Sequence, residues 1–268
     1  MDRPGVEPRA GGGLFDLTGR VAVVTGSTRG IGLAIARRLA EHGAGVVVSS
    51  RKPEACDAAA EDINRAHPGA AMPIPCHIGH KDQLQALVDG TISALGQVDV
   101  LVANAAVNPW AGPMADLPDA AFDKVLASNV RSNHWLARMV VPSMRAQGGG
   151  SIIFISSIGG LIGTDVLGAY AVSKAAEMQL ARNLAVEHGG DNIRANTIAP
   201  GMVRTDFARL LWEDPATLRR TTERTPLRRI AEPDEIAGAA VFLASPAGAF
   251  VTGQTIVVDG GSTIAPTI

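Results

Sequence analysis

Aromatic side chains are scarce in this 268-residue chain, which has six Phe, three Trp and a single Tyr. Only two cysteines occur, Cys56 and Cys76. That is too few for a disulfide framework and points to a reducing compartment. No apolar run approaches the roughly 18 residues of a membrane-spanning helix. Neither sign of charge dominates, since 24 Lys and Arg stand against 26 Asp and Glu. A nucleic acid or an anionic membrane rewards a basic excess through counterion release, so neither is expected as a partner. Residues 1–13 carry Pro, Arg and a Gly run without an apolar stretch, which argues against a secretory signal and predicts a flexible tail. The last residues, Ala-Pro-Thr-Ile, form no peroxisomal address. A cytoplasmic location is the expectation.

What is present is apolar and alternating. At 46% hydrophobic residues the chain is not disordered, and its length suffices to bury about three quarters of the unfolded surface without a disulfide or metal staple. Short apolar runs at Val21–Thr25, Val46–Ser49, Ala71–Ile74, Val98–Val102, Ser151–Ser156, Ile193–Thr197 and Thr255–Val258 read as strands. Helical spacing appears between them at Gly30–Glu41, Pro53–Ala66, Gln83–Leu95, Ala120–Arg145, Tyr170–His188 and Asp234–Leu243. Continuous apolar strands alternating with helices imply an α/β fold. We expect a single domain over residues 14–268, a doubly wound parallel sheet of about seven strands with helices on both faces. The amphipathic stretch 202–230 interrupts the rhythm and is expected to form a lid over the ligand end of the sheet.

Between the first strand and the first helix lies Gly26-Ser27-Thr28-Arg29-Gly30-Ile31-Gly32. Glycines there admit a pyrophosphate close to the backbone, and a helix N-terminus offers unpaired N–H groups to it. The spacing differs from the G-x-G-x-x-G of long-chain dehydrogenases. After the second strand, where an NAD site carries an acid for the ribose, the chain reads Ser49-Ser50-Arg51-Lys52. Arg51 can fork onto a 2′-phosphate and Arg29 can approach the same group from the other side. Two cations without a carboxylate favour NADP(H).

Tyr170 and Lys174 are four apart on a helix and share a face. A phenol with a pKa near 10 needs help to exchange protons at neutral pH. A neighbouring ammonium lowers that value, so Tyr170 is expected to ionise well below 10. Ser157, at the carboxyl end of the fifth strand, can hydrogen-bond a substrate oxygen.

These residues, with Ala103-Asn104-Ala105-Ala106, Ser128-Asn129-Val130 and Pro200-Gly201, resemble the short-chain dehydrogenase/reductase family from about Leu14 to Ser262. The resemblance implies that Tyr170 is the general acid/base and that Lys174 lowers its pKa and binds the nicotinamide ribose. Ser157 would position the carbonyl, and Asn129 would hold a water linking Lys174 to solvent. Pro200, Gly201, Val203 and Thr205 resemble the segment that holds the nicotinamide amide, and Asn104 the residue that supports the central strand beside the adenosine. Val46–Lys52, Cys76-His77-Ile78-Gly79, Asn104–Pro109 and Leu210-Leu211-Trp212 are similar to the NADP-dependent carbonyl reductase and retinol dehydrogenase branch, which implies a homotetramer. Ala103 and Ala106 depart from that family's Asn-Asn-Ala-Gly, and His77 replaces the Asp that meets the adenine.

Cys76, His77 and His80 lack a second cluster to complete a metal site, so no metal is expected. Glu223, Arg224, Arg228 and Arg229 read as a solvated face. Trp110, Leu161, Leu167, Phe207, Leu211 and Trp212 are candidates for an apolar substrate pocket. The function these features imply is an NADPH-dependent ketone reductase, reversible as a secondary-alcohol dehydrogenase. The alternatives are a 3-oxoacyl-thioester reductase and, from another class, a non-catalytic NADP-binding sensor or scaffold.

Overall fold

The computed structural model describes residues 13–265, so the expected tail at 1–13 lies outside the described residues except for Gly13. Seven strands form one sheet, β1 (Val21–Thr25), β2 (Gly45–Ser49), β3 (Ala71–Pro73), β4 (Val100–Ala103), β5 (Gly150–Ile155), β6 (Ile193–Pro200) and β7 (Thr255–Val258). Their order is β3-β2-β1-β4-β5-β6-β7 and every pairing is parallel. The helices are α1 (Gly30–Glu41), α2 (Pro53–Ala66), α3 (Lys81–Leu95), α4 (Asp119–Val125), α5 (Ser132–Ala146), α6 (Gly168–His188), α7 (Arg209–Trp212), α8 (Pro215–Arg224) and α9 (Pro233–Ala244). None of the described helices is long and apolar enough to cross a membrane.

The strands are apolar throughout because each has two faces to bury. Ala22, Val24, Val46, Val48, Val100, Val102, Ile153 and Ile155 pack into one core with α1, α2 and α9. Their neighbours Val23, Val47, Leu101, Ala103, Ile152 and Phe154 enter a second core with α3, α5 and α6. The chain leaves β1 toward β3, then returns to the other side of β1 as β4. That reversal opens a crevice at the carboxyl ends of β1 and β4.

Two elements differ from the pattern read in the sequence. The expected helix Ala120–Arg145 is interrupted by a π-helical segment, Leu126–Arg131, between α4 and α5. Such an extra residue per turn reorients a side chain without ending the helix. The expected strand Val98–Val102 begins only at Val100, because Asp99 serves as a staple. Its buried carboxylate accepts from the Val21 N–H (2.8 Å), Arg20 Nη1 (2.7 Å) and Gln97 Nε2 (2.5 Å). The Asp99 carbonyl also accepts the N–H of Ser151 at 2.9 Å, so one residue joins the starts of β1, β4 and β5.

Removing that carboxylate leaves a buried N–H at Val21 without an acceptor. Asp99→Ala should therefore lower stability by about 2–3 kcal/mol. Urea unfolding should show a lower midpoint with an unchanged slope.

Candidate active site

At the carboxyl end of β1 the chain turns through Gly26 (φ 65°) and Gly30 (φ 56°), a backbone region that favours glycine. Gly32 follows in the first turn of α1, where a Cβ would stand 2.3 Å from the Gly26 carbonyl oxygen and 2.5 Å from Asn104 Nδ2. The loop is thus folded too tightly for a side chain at that point. No side chain caps α1 and no acidic residue lies in its first turn, so its N–H groups and positive dipole end are left for an anion. Thr28 and Ile31 are half-buried on the same turn. Asn104 holds the loop by donating from Nδ2 to the carbonyls of Thr25 (2.9 Å) and Gly26 (3.1 Å). The backbone N–H groups of Asn104 and Ala105 both donate to Thr25 Oγ1, each at 3.1 Å. Ala106 continues this strand end, half-buried.

Ser27 has a different place from the one expected of it. It is fully buried, donates to the Val24 carbonyl (2.6 Å) and accepts from the Ser49 N–H (2.9 Å), while its own N–H goes to the Ser49 carbonyl (3.2 Å). Its hydroxyl and N–H are engaged in joining β1 to β2. Beyond β2, Ser50 bonds Cys56 of α2 through both its N–H (3.1 Å) and its hydroxyl (3.4 Å). Arg51 and Lys52 are exposed and form no ion pair among the described residues. Arg29 is not free in the same way, since Nη1 lies 3.2 Å from Asp206 of the 202–230 stretch. Both partners are exposed, so the pair contributes little and gives way easily. His77 takes the Gly79 N–H on Nδ1 (3.0 Å) and stacks edge-on to His80 with ring centroids 4.8 Å apart. Burial, with His80 and Arg51 adding to it, holds His77 below its usual value and thus neutral. Ile78 packs into the second core beneath.

The helix α6 carries Tyr170 and Lys174 past the end of β5. Close approach of the turn after Ser157 is set by Gly160, where a Cβ would stand 2.7 Å from the Ala175 nitrogen. The Ser157 hydroxyl then accepts the Gly159 N–H (3.0 Å) and lies near enough to the Tyr170 hydroxyl to favour its phenolate. Lys174 Nζ lies 5.4 Å from the centre of the Tyr170 ring. Asn129, placed by the π-helical segment, is fully buried. It accepts the Val107 N–H (2.9 Å) and donates to the Val107 carbonyl and to Ser173 Oγ, both at 3.0 Å. Its side chain therefore braces the loop after β4 against α6, and none of these hydrogen bonds goes to Lys174.

Two features were not visible in the sequence. Lys174 Nζ, buried, donates to the Ile155 carbonyl (2.8 Å) and to both oxygens of Glu177 (2.9 and 3.1 Å). Glu177 also accepts from Asn133 Nδ2 at 3.3 Å. The second feature corrects the expectation for Tyr170. Desolvation raises its phenol above 10, with Glu177 adding to the rise, while Lys174 and Ser157 pull the other way. Burial outweighs the charge that was expected to win, and the carboxylate beside Lys174 works in the same direction as burial. An acid at the third position after Lys174, on the helix face turned inward, was the available signal.

The stretch 202–230 is pinned at its base, where Val203 bridges Ala231 and the Ala231 N–H donates to the Met202 carbonyl (2.9 Å). Pro200 ends β6, and Gly201 passes so close to Asp259 that a Cβ would meet its Cα at 2.9 Å. Thr205 stands 3.2 Å from where a Gly30 Cβ would be, closing the stretch onto the glycine turn. Of the pocket candidates, Phe207 reaches the site, with its ring 5.9 Å from that of Tyr170. Leu167 bridges Gly112, against which Trp110 packs, so both flank that residue. The Trp110 indole nitrogen is buried without a partner. Trp212 instead packs within its own segment, donating to the Thr205 carbonyl (2.8 Å) beneath Arg204. Leu161 is exposed and Leu211 half-buried, and no contact of either with Tyr170 is seen. No three His, Cys, Asp or Glu among the described residues group as metal ligands.

Residues 26–263 match the family model described as enoyl-(acyl carrier protein) reductase. The dehydrogenase/reductase SDR family member 4 of Bos taurus is 44% identical over 249 residues, 92% of this chain and 88% of that protein. The chain belongs to the short-chain dehydrogenase/reductase family. Solved members share its architecture. A 7α-hydroxysteroid dehydrogenase complexed with NADH and 7-oxo glycochenodeoxycholic acid is 39% identical with a TM-score of 0.89, covering 92% of this chain and 96% of that one. The gluconate 5-dehydrogenase of Burkholderia cenocepacia J2315, in complex with NADP and tartrate, is 35% identical with a TM-score of 0.90, covering 94% and 98%. The protein is accordingly an oxidoreductase of this family. The tight turn at Gly26–Gly32, with no room for a Cβ at Gly32, and the uncapped start of α1 fit the dinucleotide that such members bind.

Adding one methyl group tests that fit. Gly32→Ala should weaken nucleotide binding by at least roughly tenfold, about 1.4 kcal/mol, in a fluorescence titration with NADPH.

Proposed function

We propose that this protein is an NADPH-dependent carbonyl reductase that also oxidises secondary alcohols. The observation that carries the reading is the grouping of Ser157, Tyr170 and Lys174 at the carboxyl end of β5, with Lys174 Nζ 5.4 Å from the Tyr170 ring and Phe207 against it. Bound NADPH supplies the hydride. The Ser157 hydroxyl holds the substrate oxygen beside the phenol, and Tyr170 passes its proton to that oxygen as it becomes the alcohol. Asn129 keeps the loop after β4 and α6 in register, so the phenol meets its target in one orientation.

The 2′-phosphate preference rests on Arg51 and Lys52, exposed and unpaired at the end of β2, where no acid stands to bind a ribose hydroxyl. Arg29 joins them by exchanging Asp206 for phosphate. An apolar ketone is favoured by Phe207 against the Tyr170 ring and by Leu167 and Trp110 flanking Gly112, while the unpartnered indole N–H can serve an oxygen on the substrate. Cytoplasmic residence, the default where no targeting signal is read, and a tetramer, implied by resemblance, accompany this reading. A 3-oxoacyl-thioester reductase is the second reading, favoured by a groove on the 202–230 stretch lined by Arg204, Arg219, Arg228 and Arg229. Two of these arginines are already neutralised, by Glu232 and Glu235, which weakens it as a carrier-protein surface.

A panel of ketones and an acyl-carrier thioester, assayed with NADPH and NADH in parallel, separates the readings. Bulky ketones with NADPH should turn over fastest, and a preference for NADH or the thioester overturns the proposal. Tyr170→Phe should lower kcat by roughly 10²–10⁴-fold while leaving the Kd for NADPH unchanged. Arg51→Ala should raise KM for NADPH by roughly tenfold and leave KM for NADH in place.

A further inference from the structure

Glu177, the buried partner of Lys174, has no role in the reading above. Both side chains are almost fully buried, with relative exposures of 2% and 1%. A buried ion pair is a poor source of stability, since an apolar pair of similar volume does as well or better. Yet this one is fully provided with partners. The three N–H donors of Lys174 reach Ile155 O and the two Glu177 oxygens, and Asn133 of α5 donates to the carboxylate from the other side. Ser156 Oγ donates to the Lys174 carbonyl (2.8 Å), fixing the helix turn that carries the pair.

We propose that Glu177 is a positioning residue of the reaction: its carboxylate holds the Lys174 ammonium inward and offsets its charge, and so keeps Tyr170 in the protonated form that carbonyl reduction requires. The inference rests on Tyr170 being the proton donor. Every charge felt by the phenol comes from this pair, Lys174 favouring the phenolate and Glu177 opposing it. The elements packed around it are otherwise neutral at this point. Asn133 comes from α5, Asn129 from the π-helical segment, the Ile155 carbonyl and Ser157 from the end of β5, and Phe207 from the 202–230 stretch. His134 and Arg138 of α5 are exposed, and Arg194, the one charged residue of β6, bonds the Gly248 carbonyl. Burial lifts the Glu177 carboxyl to about 7, against the pull of Lys174. In the Lys174 ammonium, desolvation is outweighed by Glu177 and Tyr170, which hold it above its usual value. The carboxylate form that restrains Tyr170 is therefore populated above neutrality.

Because Tyr170 is the only tyrosine, phenolate absorbance in a pH titration reports this site alone. Glu177→Gln keeps the shape and an acceptor for Lys174 while removing the charge. Its phenol midpoint should fall by about one unit, a tenfold change in the ionisation constant. Glu177→Asp, which restores the charge, should stay close to the wild-type midpoint. Glu177→Met, an apolar replacement of similar length, should shift it as Gln does and keeps the test open if Gln impairs folding. In the Gln variant the alkaline limb of ketone reduction should move to lower pH by the same amount. A phenol midpoint that is unchanged or raised in both neutral variants overturns the proposal. The titration needs no turnover, so it separates this inference from the proposed activity. An inactive Tyr170→Phe with an unshifted Gln titration refutes the role of Glu177 alone, and an active Tyr170→Phe refutes the proton-donor reading beneath it.

Discussion

A parallel ladder covered on both faces places severe demands on the chain. Every strand must be re-entered from the same end, so each pairing needs a crossover, and each crossover starts at a strand's carboxyl end. All seven strands obey this, from β3 to β7. In consequence the glycine turn after β1, Arg51 after β2, Asn104 after β4, Ser157 after β5 and Pro200 at the end of β6 open onto one edge of the sheet. The apolar strands between them are the means: alternate residues fill two separate cores, and that double burial holds the edge rigid. Asp99 at the opposite edge and Asn104 at this one bind β1 to β4 across the chain reversal, where the crevice would otherwise splay.

On that scaffold the site is assembled chiefly from neutral groups. Asn104 and Asn129 make paired or forked hydrogen bonds that leave few orientations open, and Ser27, Ser156 and Ser173 satisfy backbone carbonyls beneath them. Within this neutral frame a single buried ion pair has an outsized effect, because little else screens it. The phenol of Tyr170 then responds to the balance between Lys174 and Glu177 and to its own desolvation. An ammonium one helical turn away describes its surroundings incompletely.

The fold was legible almost to its strand ends. Apolar runs of four to six residues have no reason to be continuous unless both faces are covered, and the sheet follows from that. What stayed hidden has identifiable causes. The π-helical segment at Leu126–Arg131 leaves no mark in composition, since it changes hydrogen-bond spacing rather than residue type. Ser27 reads as a phosphate-loop hydroxyl until the Ser49 backbone arrives beside it. Arg29 is a free cation along the chain and a partner of Asp206 in space, 177 positions further on. Trp212 is apolar enough for a pocket, yet Thr205 and Arg204 occupy it.

The sequence by itself determined the alternation of strands and helices, the glycine turn, and the pairing of Tyr170 with Lys174 on one helix face. Each depends on neighbours within a few residues, and local sterics and periodicity settle them. Only the tertiary structure decided which charges matter. Whether Glu177 faces water or Lys174, whether Arg29 waits for an anion or meets Asp206, and whether Tyr170 ionises early or late all depend on burial. Burial is a property of how distant segments close over a residue, and it weighs a charge more heavily than anything the adjacent sequence supplies.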